Sequence, residues 1–140
     1  MSDITNKVTF CFESRGQNVA LARLLVAAMA ADHDMTMTDL DEIKVAVSEA
    51  VSNAIIHGYQ NQEEKIVRME VEIDENRMVI HIHDDGVGIA DIAQAMQPSY
   101  STDKDRMGLG FAFMHSFMDK VEVVSELGVG STVTLIKMFN

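Results

Sequence analysis

Glu49 and Asn53, one helical turn apart, carry the most suggestive chemistry in the chain. One is a carboxylate able to take a proton; the other is a carboxamide whose oxygen can ligate a hard cation such as Mg²⁺. Both lie in the stretch VAVSEAVSNAII, residues 45–56. At the helical angle per residue, Ser48, Glu49, Ser52 and Asn53 fall in a single narrow stripe. Leu40, Ile43, Val47, Ala50, Val51, Ala54 and Ile55 cover the opposite side, which must face a core. Val45 and Ile56 flank the polar stripe, so the carboxylate sits in partly apolar surroundings. Holding it there costs on the order of several kcal/mol unless water, a neighbouring side chain or a bound cation compensates.

Other groups could join this pair. The run HIHDDGVGIAD places Asp84 where a strand ends, so it can accept a hydrogen bond from a ligand's amino group or, equally, cap a turn. Gly86-x-Gly88 behind it asks for a backbone with positive φ or for close approach of another group. Gly108-Leu109-Gly110 reads as a turn opening a helix, where exposed backbone N–H groups favour phosphate; alone it is equally a tight turn. His81 and His83 face the same side of a strand, as two metal ligands would. A closed metal site needs further ligands, and His33, His57 and His115 stand in no motif, so the pair reads as part of a solvent-facing strand.

The elements that position these groups follow from periodicity. Residues 7–13 alternate as a half-buried strand. Ser14-x-x-Gln17 has the form of a capping box and opens a helix to about residue 31, apolar nearly all round and therefore expected to be buried on more than one side. Arg23 is its only charge between residues 19 and 31; it either snorkels to the surface or meets a protein partner. Thr36 or Thr38 can cap the central helix, which runs to Gly58, a plausible C-terminal stop. Residues 66–73 and 78–83 form a hairpin around Asp74-Glu75-Asn76-Arg77. Residues 90–97 are a short helical segment, 99–107 a surface loop without periodicity, and Gly108 starts a helix to about residue 118 with Phe111, Met114, His115 and Met118 on one side. Strands 121–127 and 132–138 close the chain. Hairpin-linked strands imply an α+β fold: a two-layer sandwich, its mixed, mostly antiparallel sheet covered by helices on one face.

The whole chain sets bounds. Its 140 residues suit one domain, 1–140, and 47% hydrophobic with 24% charged residues is a globular composition. A formal net charge of −11 argues against direct nucleic-acid binding, which needs a basic footprint. An acidic chain better suits a basic protein surface or a nucleotide held with its metal. Cys11 is the single cysteine, so no intramolecular disulfide forms. The longest apolar run, residues 19–31, is shorter than the about 20 residues that span a bilayer. The first residues lack the order of a signal peptide. A cytoplasmic protein with no membrane contact is the expectation.

Taken together, the features have an order: Glu-x-x-x-Asn on a helix, Asp-x-Gly-x-Gly after a strand, a loose loop, Gly-x-Gly, then Gly-Ser-Thr before a final strand. This order resembles the GHKL ATPase superfamily, of gyrase, MutL and histidine-kinase type, from about residue 39 onward. The resemblance implies an ATP site in which Asn53 coordinates Mg²⁺ and Asp84 binds the adenine amino group. Gly86 and Gly88 would shape the adenine pocket, and 99–107 would be an ATP lid with Ser101 and Thr102 on the nucleotide. Gly108, Leu109 and Gly110 would approach the phosphates, and Thr132 would lie near the adenine. The runs SEAVSNAIIHGY, DDGVGIADIAQAMQPSYST and GLGFAFMHSFMDKVEVVSELGVGSTV are similar, more narrowly, to the anti-sigma serine kinases. That resemblance implies a homodimer, built through residues 7–31, that binds a sigma factor of the sigma F type. It also implies ATP-dependent phosphorylation of a serine on a STAS-type anti-anti-sigma protein, with Glu49 as catalytic base. Arg23 matches the position with which the family touches both partners. Arg106 falls in a lid shorter than the family's. Three alternatives compete: a stress-response anti-sigma kinase, a histidine-kinase catalytic domain, for which no His-Glu pair on an upstream helix is present, and a nucleotide-dependent binding module without phosphotransfer.

Overall fold

A computed structural model describes residues 6–31, 33, 35–96 and 103–139. The elements run β1 (Asn6–Glu13), α1 (Gln17–Ala30), α2 (Met37–Asn53), one π-helical turn (Ala54–Gly58), β2 (Ile66–Ile73), β3 (Arg77–Asp84), α3 (Ile92–Ala95), α4 (Asp103–Phe117), β4 (Lys120–Glu126) and β5 (Gly130–Met138). The five strands form one sheet in the order β1-β2-β3-β5-β4. Each neighbouring pair is antiparallel, so the described sheet holds no parallel pair.

Strand alternation sorts the two faces. Val67, Met69, Val71, Ile73, Met78, Ile80, Ile82, Val133 and Leu135 are buried under the helices. Between them, Glu70, Glu72, His81, His83, Thr132 and Thr134 are partly open on the other face. Helix α2 packs against both α1 and α4. Its core stripe is the one its periodicity predicts: Ile43, Val47, Ala50, Val51, Ala54 and Ile55 are buried. Of the two candidate caps, Thr36 is the one used, its hydroxyl accepting from Asp39 N–H at 3.0 Å. The tight hairpin between β2 and β3 is closed by Asp74, whose Oδ1 accepts from the N–H groups of Asn76 and Arg77 at 2.7 and 2.9 Å.

Four expectations change. Ser14 does not cap α1: its hydroxyl donates to the Gln62 carbonyl and accepts from Lys65 N–H, tying β1 to the loop before β2, and Gly16 is the residue before the helix. Helix α1 is buried on one side only, by Ala22, Val26 and Ala30, while Leu21 and Leu24 are 47% and 67% exposed. The central helix does reach Gly58, but its last turn is π-helical, with Tyr59 N–H donating to Ala54 O at 2.9 Å. Most consequential, α4 begins at Asp103 rather than Gly108. Lys, Arg and Met are good helix formers, and nothing in residues 103–107 resists a helix. Gly108-Leu109-Gly110 is therefore helix interior, and His115 on its surface is exposed.

Candidate functional site: a pocket between α2, α4 and the end of β3

Asp84 is the last residue of β3 and only 5% exposed. Its Oδ1 accepts from Gly86 N–H at 2.9 Å. Burial pushes its carboxyl above the usual carboxylate range, while the Gly86 bond and nearby His83 pull it back and Asp85 pushes it up. A ligand N–H aimed at this carboxylate would offset that desolvation. The turn after Asp84 is clamped against the π-helical turn: Val87 N–H donates to Gly58 O at 2.9 Å, and Gly128 N–H donates to Val87 O at 2.7 Å. The expected glycine requirements appear in both forms. Gly88 has φ +76°, and a Cβ on Gly86 would stand 2.0 Å from Gly58 O. Tyr59 braces the same turn, its hydroxyl accepting from Asp85 N–H at 2.7 Å and donating to Ile66 O at 2.5 Å. Burial raises the pKa of the phenol, which keeps that donor proton in place.

The pocket above Asp84 is walled by Ala50, Asn53 and His57 from the central helix, Ile82 and Val133 from the sheet, Ile89, and Met107 and Phe111 from α4. It encloses about 20 Å³, room for about one water. At its other end Gly110 brings α4 onto α2. A methyl placed on Gly110 would lie 3.0 Å from Glu49 Oε2, 3.4 Å from Asn53 Nδ2 and 3.5 Å from Asn53 Oδ1. The carboxylate and the carboxamide thus meet at one point, as their spacing predicts. Asn53 Nδ2 is buried there without a hydrogen-bond partner. Such an orphan costs about 1–3 kcal/mol, and it marks a carboxamide arranged for something outside the chain. Its oxygen can ligate Mg²⁺, a cation that takes few protein ligands and completes its shell with water and phosphate oxygens. Its N–H can donate to a phosphate. The residues present fit that group.

The remaining expected site residues fall as follows. Thr132 is not in the pocket: it lies on the open face of the sheet, its Oγ1 2.8 Å from His83 Nδ1. Alternation along β5 gives the pocket to Ser131, which lines it and pairs across from Asp84. Leu109 is 49% exposed on α4, and neither it nor buried Gly108 is among the described residues that line the pocket; Gly110 of that triplet meets the pair. Ser101 and Thr102 lie outside the described residues, and of the expected loop 99–107, residues 103–107 belong to α4, with Arg106 among them. Arg23 is exposed on α1. His81 and His83 each bond a threonine of β5 across the open face, and among the described residues no three His, Cys, Asp or Glu side chains gather into a metal site. The sequence reading did not single out Ser131, His57, Gly58 or Ile89 for the site, and had Met107 only as the last residue of the expected lid. Gly58 carried a signal, as the glycine closing the helix, and Ser131 stands in the Gly-Ser-Thr run before the last strand.

The arrangement is a cleft with a buried carboxylate at one end and a carboxylate beside a carboxamide at the other, a layout that suits a nucleotide. The family model for the histidine kinase-like ATPase domain matches residues 12–137. The chain is 49% identical to the anti-sigma F factor of Clostridium beijerinckii, covering 100% of this chain and 98% of that protein. It is 46% identical to the anti-sigma F factor of Halalkalibacterium halodurans, with 94% and 92% covered. The crystal structure of the RsbU and RsbW domains of a Mycobacterium tuberculosis protein matches with a TM-score of 0.69 at 16% identity, over 96% of this chain and 33% of that one. The histidine kinase domain of a blue-light activated kinase from Erythrobacter litoralis matches at 0.55 and 16%, over 87% and 59%. These two show the fold alone. The chain belongs to the histidine kinase-like ATPase domain family and, within it, to the anti-sigma F factor family.

Proposed function

We propose that this protein is an anti-sigma factor that holds a sigma factor of the sigma F type and acts as an ATP- and Mg²⁺-dependent serine kinase on a STAS-type anti-anti-sigma protein. The observation that carries the reading is the meeting of Glu49 and the orphaned Asn53 carboxamide at Gly110, a few residues along α2 from the pocket floored by Asp84. Family membership supports it. Asp84 Oδ1 is taken by Gly86, so Oδ2 accepts from the adenine amino group. Ile82, Ile89, Val133 and Phe111 wall the base. Ligand pockets run to about 300–1,000 Å³, so Met107 and the first turns of α4 must yield as nucleotide enters. Asn53 would hold Mg²⁺ through its oxygen, and the cation when bound would neutralise charge on the phosphates. Glu49 takes the proton from the substrate serine hydroxyl as the serine oxygen bonds the γ-phosphorus of ATP and the bond from that phosphorus to the bridging β,γ-oxygen breaks, ADP leaving with that oxygen. The exposed surface of α1 around Arg23 meets the protein partners, and the chain works as a homodimer.

The test is incubation with a STAS-type protein and γ-labelled Mg-ATP. Glu49→Ala should lower label transfer by about 10²-fold or more, the usual contribution of a general base, and leave nucleotide affinity within a few-fold. Transfer that survives the substitution removes Glu49 from the base role. A wild-type chain that binds Mg-ATP and sigma factor but transfers nothing is a nucleotide-dependent binding module instead. In a pull-down with the sigma factor, Arg23→Ala should weaken capture with ATP binding intact; full capture returns Arg23 to a snorkelling surface cation.

A further inference from the structure

Gly58 ends the π-helical turn, and neither the family match nor the chemistry above gives it a part. A Cβ built on it would stand 2.6 Å from Asp84 Oδ1, 2.7 Å from its carboxyl carbon and 2.9 Å from Oδ2. Its nearest neighbours are thus all three atoms of the one carboxylate that floors the pocket. Its carbonyl oxygen is the acceptor for Val87 N–H, in the turn that also carries Gly86. Gly86 in turn donates its N–H to Asp84 Oδ1. Its φ is not in the left-handed region, so no backbone conformation demands glycine at this position. What demands it is the space the carboxylate fills.

We infer that Gly58 is a positioning residue for the nucleotide site: its missing side chain leaves the Asp84 carboxylate seated on Gly86 N–H, with Oδ2 turned to the ligand. The π-helical turn sets this up. Tyr59 N–H reaches back to Ala54 O, five residues earlier, and the widened turn delivers position 58 against the end of β3. The two glycines differ in what would have to give. At Gly86 a methyl meets backbone, the Gly58 carbonyl, which is itself fixed. At Gly58 it meets the end of a side chain, which can rotate. Asp84 would swing away, lose the Gly86 N–H and leave the base without its acceptor, while the fold around it survives.

The inference rests on the nucleotide reading for its binding arm, but its stability arm does not. The experiment is a double-variant cycle of Gly58→Ala and Asp84→Ala, measured by thermal unfolding without nucleotide and, for Gly58→Ala against wild type, by calorimetric titration with Mg-ATP. Gly58→Ala alone should weaken Mg-ATP binding at least tenfold and lower Tm. Added to Asp84→Ala, which removes all three crowded atoms, the same methyl should lower Tm by less than a third as much. Equal losses of Tm in both backgrounds, or Mg-ATP affinity within twofold of wild type, overturn the inference. If Gly58→Ala alone does not fold, the double variant decides: folding restored by Asp84→Ala supports it, and an unfolded double variant overturns it. Should wild type take up no ATP, the proposed function fails, while a coupled stability cycle still upholds the positioning.

Discussion

The two ends of the pocket are held by different means. Around Asp84 the contacts hold main chain: Val87 donates to Gly58 and Gly128 to Val87, backbone to backbone, and the Tyr59 hydroxyl bridges the main chain of Asp85 and Ile66. A Cβ on Gly130 would stand 2.2 Å from the Asp84 carbonyl oxygen, so here too backbone lies directly on backbone. Around Glu49 and Asn53, two side chains of one helix meet a glycine of another, and a buried N–H is left unmatched. The backbone of the first end is fixed without a ligand, leaving only Asp84 Oδ2 to be met; the second end is held by side chains alone. In the proposed function a base would be read there by shape and by one acceptor, so that end would gain from rigidity. In the proposed function, phosphates and a cation would bring charge that must be neutralised, and the end proposed to take them keeps polar groups in reserve.

Three measurements press on that contrast. The largest effect belongs to Asp84→Asn. Because Oδ1 stays on Gly86 N–H, the amide NH₂ would replace Oδ2 and face the ligand's amino donor. Loss of a hydrogen bond to a charged acceptor is worth about 1.5–3 kcal/mol, so Mg-ATP affinity should fall about 10- to 100-fold by calorimetry. Undiminished affinity would mean the rigid end does not read the base. Next, Asn53→Ala should erase most of the affinity gain that Mg²⁺ gives to ATP, about tenfold. It should also leave the nucleotide-free protein within about 1 kcal/mol of wild type, since the donor it deletes is already unpaired. A large loss of stability would show that the carboxamide serves the fold.

The smallest effect is a pH dependence without ligand. Asp84 has a raised pKa in the fold, so between 3.8, its ordinary value, and its folded value the native state holds the extra proton. Stability therefore falls as pH rises through that window, and above it the charged, buried carboxylate is a fixed penalty. Asp84→Asn should unfold at a Tm no lower than wild type at pH 7, with the difference shrinking as pH approaches 4. A variant less stable than wild type at pH 7 would contradict the burial argument. The substitution that harms binding most is then one that the empty protein tolerates.

The sequence was most readable where a period of two or of 3.6 governs. The alternation in residues 66–73 and the stripe of α2 both appear as read, because each buries one face against a single partner layer. Glycines were harder. Gly108 and Gly110 read as a turn because sequence shows the missing side chain and not the helix pressed against it; Gly110 is small for the sake of Glu49 and Asn53. Thr132 was placed one residue too far along β5, since a slip of one exchanges the faces of a strand, and the strand starts at Gly130. The exposed leucines of α1 show a further limit: hydrophobic content states what prefers to be covered, not whether this chain covers it. The π-helical turn leaves no trace in periodicity.

The strand that delivers Asp84, β3, is the middle of five, with β1 and β4 at the outer edges. Middle strands open last and edges first. Opening at the border of the sheet can therefore leave the strand that ends in Asp84 closed. Helix α2 joins the border to the centre: it packs on α1, whose outer face is exposed, and it also carries Glu49 and Asn53.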